Sequence, residues 1–230
     1  GGTGFIGSNI SKLLVRKNYN VKIFDNNSRG SIGSIKKIQK KIKFIKGDIR
    51  NKILLNKALK KTDAVIHLAY VNGTINFYKE PIKVLDIAVN GILNVLEGCI
   101  KNNIRELYLA SSSEVYQTPE KIPTDEQEAL KIPDIYNPRF SYGGGKILAE
   151  LMGIHYGKKF FKKLIIFRPH NVYGPNMGND HVIPEFINRF RKMKKKNNKF
   201  TIKGNGSETR SFIFIDDFIS AFDLILKKGK

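Results

Sequence analysis

Seven residues at the start of the chain, Gly1-Gly2-Thr3-Gly4-Phe5-Ile6-Gly7, restrict its fold more than any other segment. Glycines at 1, 4 and 7 permit a tight turn whose backbone N–H groups approach a pyrophosphate, with the phosphate charge stabilised at the amino end of the following helix. Such a turn joins a strand to a helix, so the spacing predicts a helix over 7–17 and a strand before it. The sequence is therefore expected to be an internal piece of a longer chain that lacks its first strand, and the helical pattern from Asp216 to Lys230 simply stops. The next strand-like run, Val21 to Asp25, ends on a carboxylate about 20 residues past the turn, where an acid accepts both ribose hydroxyls of a dinucleotide. A carboxylate there repels a 2′-phosphate and favours NAD over NADP, while Arg29 is the nearby residue that speaks for NADP. Without the glycines, Asp25 reads as an ordinary loop-initiating residue.

Beyond the turn, short apolar runs alternate with helical patterns. Val21 to Asp25, Ile42 to Lys46, Ala64 to Leu68, Glu106 to Ala110, Leu164 to Phe167 and Phe212 to Ile215 are rich in Val, Ile, Leu and Phe, as buried parallel strands are. Helices are predicted near 51–60, 81–102, 141–158 and 181–196, with Pro81 suited to a first turn. The alternation predicts an α/β fold, a Rossmann-type doubly wound parallel sheet. An NAD-binding domain over 1–168, without its first strand, and a partial, truncated second lobe over 169–230 are expected. The stretch from Gln117 to Arg139 holds four prolines and reads as a long loop beside the site. No internal repeat is visible.

Charge enters because it offers a competing function. The chain has 41 Lys plus Arg against 20 Asp plus Glu, a net +21, which invites a nucleic-acid reading. Yet 32 of those residues are Lys and only 9 Arg, alongside 31 Ile and 21 Asn, types that share A/T-rich codons. Base and phosphate readers favour the planar fork of Arg. The densest basic run, Arg191 to Lys199, has no interleaved aromatics and reads as a solvated face, so no nucleic-acid partner is expected. No apolar run approaches the ~18 residues that span a bilayer, so no membrane partner is expected either. A single cysteine, Cys99, makes neither an internal disulfide nor a thiolate metal site and reads as core in a cytoplasmic protein. His67, His155, His170 and His181 lack metal-ligand spacing, and no metal is expected.

A second constellation carries chemistry. Tyr142-Gly143-Gly144-Gly145-Lys146 puts Tyr and Lys at i and i+4, on one face of a helix. An ammonium beside a phenol lowers its pKa from about 10 and equips Tyr142 as a general base. Three glycines cost a helix about 1 kcal/mol each, so the helix either packs very close to something there or begins nearby. Ala110-Ser111-Ser112-Ser113-Glu114-Val115-Tyr116 follows a buried strand directly, at the sheet end where ligands bind in such folds. Taken singly, the serines would be turn formers.

Taken in order, the glycine turn, Asp25, the serine cluster and the Tyr/Lys pair resemble the extended short-chain dehydrogenase/reductase family, specifically its NAD-dependent nucleotide-sugar epimerases and dehydratases. The resemblance continues through Gly47-Asp48, His67-Leu68-Ala69, Arg168-Pro169-His170-Asn171-Val172-Tyr173-Gly174-Pro175 and Gly204 to Asp217. It implies that Gly1, Gly4, Phe5, Ile6, Gly7 and Asp25 bind NAD, that Asp48 and Ile49 contact adenine, and that Leu68 and Ala69 line the cofactor. Lys146 is implied to bind the nicotinamide ribose. Tyr142 is the implied proton acceptor and Ser112 the catalytic Ser/Thr, with Glu114 beside them. Ser112, Ser113, Asn171 and Arg210 are implied substrate contacts, the last as a phosphate clamp. A homodimer built on the helices at 81–102 and 141–158 is also implied.

In such enzymes Tyr takes the 4-OH proton while hydride leaves C4, giving a 4-keto sugar. An epimerase returns the hydride to the other face, a dehydratase loses water, and a decarboxylase loses CO2. Dehydratases carry Asp then Glu where this chain has Ser113-Glu114, which counts against dehydration. Ser112-Ser113-Glu114 resembles the decarboxylases, whereas Arg168 to Pro184 is more similar to epimerases. The expected activity is an NDP-sugar 4-epimerase, with UDP-glucuronate decarboxylase or NDP-glucose 4,6-dehydratase as alternatives and a catalytically silent NAD-binding relative as the non-enzyme reading. Departures from the family pattern cluster on the sugar side: Ala88-Val89-Asn90-Gly91 in the long helix, Gln117 for a usual Gly, and Tyr70 for a usual small residue. Glu114 also has a plainer role open to it, holding its loop.

Overall fold

The computed structural model describes residues 1–178, 181–193, 199–202 and 204–229. Five parallel strands form where the apolar runs predict them: β1 (Val21–Asp25), β2 (Ile42–Lys46), β3 (Ala64–His67), β4 (Glu106–Ala110) and β5 (Lys163–Phe167). Two three-residue strands, β6 (Asn171–Tyr173) and β7 (Phe212–Phe214), pair in parallel beyond them. The helices are α1 (Phe5–Arg16), α2 (Lys52–Leu59), α3 (Thr74–Lys79), α4 (Pro81–Asp86), α5 (Ile92–Lys101), α6 (Ser141–Phe160), α7 (Val182–Lys192) and α8 (Ile215–Lys228).

β1 pairs with β2, and β3, β4 and β5 form a second group with β4 in the middle. Among the described residues no ladder joins the two groups; Gly1 and Gly2 lie between them. The Gly1 amine donates to the Phe24 carbonyl at 2.7 Å, and a Cβ on Gly1 would stand 2.5 Å from the Ala69 nitrogen. The glycine turn therefore emerges between the carboxyl ends of β1 and β3, where crossovers in this architecture leave room for ligand.

Helices cover both faces, as parallel strands require. Along β4, Leu107 and Leu109 point into one core with Leu55, Leu96 and Ala149 from α2, α5 and α6. Tyr108 and Ala110 point into the other, with Ile10 and Leu13 of α1 and Phe218 and Phe222 of α8. This period-2 alternation is what a central strand with two buried faces shows. Burying each leucine contributes about 1.5–3 kcal/mol. Lys17 and Asp223 add an ion pair at 2.8 Å between α1 and α8.

Several local expectations change. The helix expected over 81–102 is α4 and α5 joined by a π-helical stretch, Ile87–Gly91. Ile215 begins α8 rather than ending a strand. Three elements carry too little local signal to be foreseen: α3, β6 and the 3₁₀ segment Ile32–Lys41, whose Ile35 and Ile38 bury against Ile23. Residues 194–196 of the helix expected to reach 196, and 194–198 of the basic run, lie outside the described residues. Among the described residues no helix is long and apolar enough to cross a membrane.

Candidate active site

An open cleft of about 550 Å³ lies at the carboxyl ends of β1 and β3, lined by Gly1, Gly4, Asp25, Asp48, Leu68 and Ala69 among others. Gly7 is obligatory because a Cβ would stand 2.0 Å from the Gly1 carbonyl oxygen. Gly4 caps α1 and no side chain caps that end, so the first-turn N–H groups of Phe5, Ile6 and Gly7 are left for an anion. Asp25 is held at the cleft edge by the backbone N–H groups of Thr3 at 2.9 Å and Asn27 at 2.8 Å. A carboxylate has about four acceptor positions, so the two backbone N–H bonds do not exhaust its capacity for hydroxyl donors. Arg29 lines the same cleft and donates to the Asn72 carbonyl.

Ile49, Leu68 and Ala69 line the cleft wall. Asp48 does too, but its carboxylate is engaged. It accepts from Arg50 N and Nε at 2.9 and 3.0 Å, from Arg50 Nη2 at 2.8 Å and from Asn26 Nδ2 at 3.1 Å. The Arg50 hydrogen bonds hold its pKa down at about 2. Asn26, which lines the cleft, and Arg50 thus hold the Asp48 carboxylate, a contact absent from the motif reading although each lies within two positions of Asp25 or Asp48.

Deeper in, α6 and the turn after β4 converge. Tyr142 and Lys146 are both buried, and the Ser112 hydroxyl lies near enough to the Tyr142 phenol to favour its ionised form. The Ser112 hydroxyl also accepts the Glu114 N–H at 3.2 Å, capping a single 3₁₀ turn, Ser113–Val115. Phe77 stacks on Tyr142 at 5.1 Å and Tyr70 meets it edge-on at 5.1 Å. Lys146 Nζ donates to the Ala110 carbonyl at 2.7 Å.

Burial dominates the protonation states here, and it alters one expectation. It pushes the Tyr142 phenol up to about 12, against the opposing pull of Ser112 and the Arg139 charge. It also pushes Lys146 down to about 7, with Glu150 opposing. A desolvated ammonium bonded to a carbonyl, 5.8 Å from the Tyr142 ring centre, does not bring the phenol toward neutrality in the ligand-free protein.

The three glycines are explained by close packing. A Cβ on Gly143 would meet Gln117 at 2.9 Å, one on Gly144 would meet Ile132 at 3.2 Å, and one on Gly145 would meet Tyr70 Oη at 2.2 Å. Both the long loop and Tyr70, three residues beyond β3, press on the first turns of α6.

Glu114 is gripped by Arg139, whose Nη2 donates to both carboxylate oxygens at 2.9 Å. Asn171 and Arg210 stand apart from this cluster. Asn171 Nδ2 donates to the Ser211 carbonyl at 2.9 Å and Arg210 Nη1 to the Thr209 carbonyl at 2.6 Å. The β6–β7 register sets Asn171 opposite Phe212, two residues after Arg210. Both are exposed. Phe77 and Arg139, which shape the surroundings of Tyr142, were not foreseen, because their partners are distant in sequence.

A family model for the NAD dependent epimerase/dehydratase family matches residues 1–230. The chain belongs to that family. A dTDP-D-glucose 4,6-dehydratase of Dictyostelium discoideum is 34% identical over 242 residues, covering 100% of this chain and 55% of that protein. A putative UDP-glucose 4-epimerase of Methanocaldococcus jannaschii is 34% identical over 226 residues, covering 96% of this chain and 70% of the relative. The crystal structure of a UDP-glucose 4-epimerase with UDP-glucose from Thermotoga maritima superposes with a TM-score of 0.86 at 25% identity, covering 100% of this chain and 72% of that one. The chain thus spans about half the length of its Dictyostelium relative.

The cofactor in the family's name suits the residues present. The uncapped α1 end is suited to a pyrophosphate, Asp25 to ribose hydroxyls, and Leu68 and Ala69 to an apolar ring face.

Proposed function

We infer that the protein performs NAD-dependent nucleotide-sugar modification through a transient 4-keto sugar, as an NDP-sugar 4-epimerase. The observation that carries the finer part is the state of the Ser113-Glu114 pair. Elimination of water needs an acid for the leaving hydroxyl and a base for the neighbouring C–H. Ser113 is no acid, and Glu114 is held by Arg139 at 2.9 Å through both oxygens. Oxidation and re-reduction at C4 need neither group.

In this reading Ser112 and Tyr142 receive the sugar 4-OH, and Tyr142 takes its proton. NAD, when bound, supplies the hydride acceptor and donor. Because burial keeps the phenol protonated in the free protein, the phenolate form depends on the groups that favour it, the Ser112 hydroxyl and the Arg139 charge. Lys146 would bind the nicotinamide ribose. Asn171 and Arg210 hold the diphosphate, with Arg suited to a bidentate contact. Glu114 acts beside the catalytic group by fixing its loop.

UDP-glucuronate decarboxylation is the second reading. It is favoured by Arg139, which carries a buried Nη1 without a hydrogen-bond partner among the described residues, a group able to meet a sugar carboxylate. We further infer a homodimer in a reducing cytoplasm. Ile82, Leu85 and Val89 on α4 and the π-helical stretch, and Leu151 on α6, are large apolar side chains left exposed, and α4 packs against α6.

The test is to incubate the whole protein with NAD and, separately, UDP-glucose, UDP-glucuronate and dTDP-glucose, and to identify products by mass spectrometry and NMR. An isomer of unchanged mass is expected. Loss of CO2 or of water selects the other chemistries and overturns the epimerase assignment.

A further inference from the structure

Tyr70 stands one residue beyond the Leu68–Ala69 wall, in a place the motif reading marks only as a departure. Its ring face lies 4.1 Å from Lys146 Nζ, and its edge meets the Tyr142 ring at 87°. Its hydroxyl occupies the notch left by Gly145: a Cβ there would stand 2.2 Å from Tyr70 Oη and 2.6 Å from the Ala88 Cβ. Any other residue at 145 would expel the tyrosine or push α6 away. Gly145 is therefore spent on admitting this one ring beside the ammonium that follows it in sequence.

We propose that Tyr70 is a positioning residue, whose ring face and the Ala110 carbonyl together hold the Lys146 ammonium where the cofactor ribose is received. The Tyr70 hydroxyl is buried and finds no hydrogen-bond partner among the described residues, so the ring is the part of the side chain in use. A desolvated cation against an aromatic face is stabilised in its charged form. That opposes the burial that otherwise drives the proton off Lys146. The other groups facing the ammonium are named readily. His67 at the end of β3 is kept neutral by burial and by the Lys146 charge. Glu150 lies one turn further along α6 and is paired with Arg168 at 2.5 and 2.8 Å. Tyr142 presents its ring 5.8 Å away. Tyr70 is the closest of the aromatic contacts.

The proposal rests on the reading of Lys146 as the residue that serves the cofactor ribose, and its test does not pass through turnover. The readout is the pH midpoint of the Lys146 Nζ signal in ¹⁵N-lysine NMR of the whole protein without NAD, assigned with Lys146→Arg. Tyr70→Phe keeps the ring and is expected to keep the midpoint. Tyr70→Leu is expected to lower it by about half a pH unit or more, threefold or more in the protonation constant. An unchanged or raised midpoint in Tyr70→Leu overturns the proposal, as does a Tyr70→Phe shift of equal size. Should Tyr70→Leu fail to fold, the Lys146 ε-methylene protons carry the test. They are expected upfield under the ring current in wild type and unmoved in Tyr70→Phe, and ordinary lysine shifts in wild type overturn the proposal. Calorimetric NAD titration of the wild type judges the cofactor reading separately.

Discussion

Arg139 grips both carboxylate oxygens of Glu114 at 2.9 Å through one guanidinium nitrogen. That contact ties the turn after β4 to the residue three places before Tyr142. The same guanidinium lies 5.3 Å over the ring of Phe77, which stacks on Tyr142. Through Arg139 and Phe77 the Glu114 side chain is linked to the packing around the phenol.

Glu114→Gln and Arg139→Gln should therefore behave alike. Both side chains are about a third exposed, so the pair contributes only about 0–1 kcal/mol to stability. Turnover should fall about tenfold in each variant as Tyr142 loses its placement. Steady-state kinetics of the two variants and their double mutant check this. A much larger loss in Glu114→Gln than in Arg139→Gln would assign Glu114 a direct part in the chemistry.

Tyr142→Phe should lower kcat by about 10²–10⁴ while leaving NAD affinity near that of wild type. The ring packing on Phe77 and Tyr70 survives the change, so the melting temperature should move little. Turnover that survives intact would remove Tyr142 from the mechanism.

Lys146 sets a pH dependence of stability. Burial holds it at about 7 in the folded protein against 10.5 in the unfolded chain. Between those values the unfolded chain binds more protons, so this residue makes the fold more stable as pH rises from about 7 to 10.5. Below that window its buried charge is a constant burden. Lys146→Met should therefore raise Tm at pH 6, by about 2–4 °C for each kcal/mol relieved, with the difference shrinking toward pH 10. The gain is partly offset because the Ala110 carbonyl loses its donor. Melting curves across pH 6–10 for both proteins decide it.

Asp25→Asn keeps a side-chain oxygen for the Thr3 or Asn27 N–H and removes the charge offered to a ribose. Hydrogen bonds to charged groups contribute about 1.5–3 kcal/mol, so NAD affinity should fall about ten- to a hundredfold. Discrimination against NADP should narrow at the same time, since the charge that repels a 2′-phosphate is gone. Calorimetric titration with both dinucleotides measures both effects.

The strands were legible because a strand buried on both faces needs only a short apolar run, and Val21–Asp25, Ile42–Lys46 and Glu106–Ala110 sit where that pattern puts them. By contrast, Ile32–Lys41 reads as a basic, irregular stretch. Its turns exist because Ile35 and Ile38 reach the Ile23 cluster, a contact no local window contains. In the site, Tyr142 and Lys146 could be paired from their spacing on one helix face, whereas Ser112 was singled out among its neighbouring serines only by the family resemblance. What surrounds them could not be read in either way. Tyr70, Phe77 and Arg139 arrive from three separate segments, and the triple glycine announced close packing without naming what would be packed. Asp48 shows the opposite case: its position was readable, and the Arg50 and Asn26 bonds that occupy its carboxylate were not.

Incubating the whole protein with NAD and UDP-glucose deuterated at C4 tests the central claim most directly. Oxidation by hydride transfer and return to the opposite face predicts a product of unchanged mass, inverted at C4, with the deuterium still on that carbon. Loss of the label to solvent, loss of water from the sugar, or no conversion of the nucleotide sugar would contradict it.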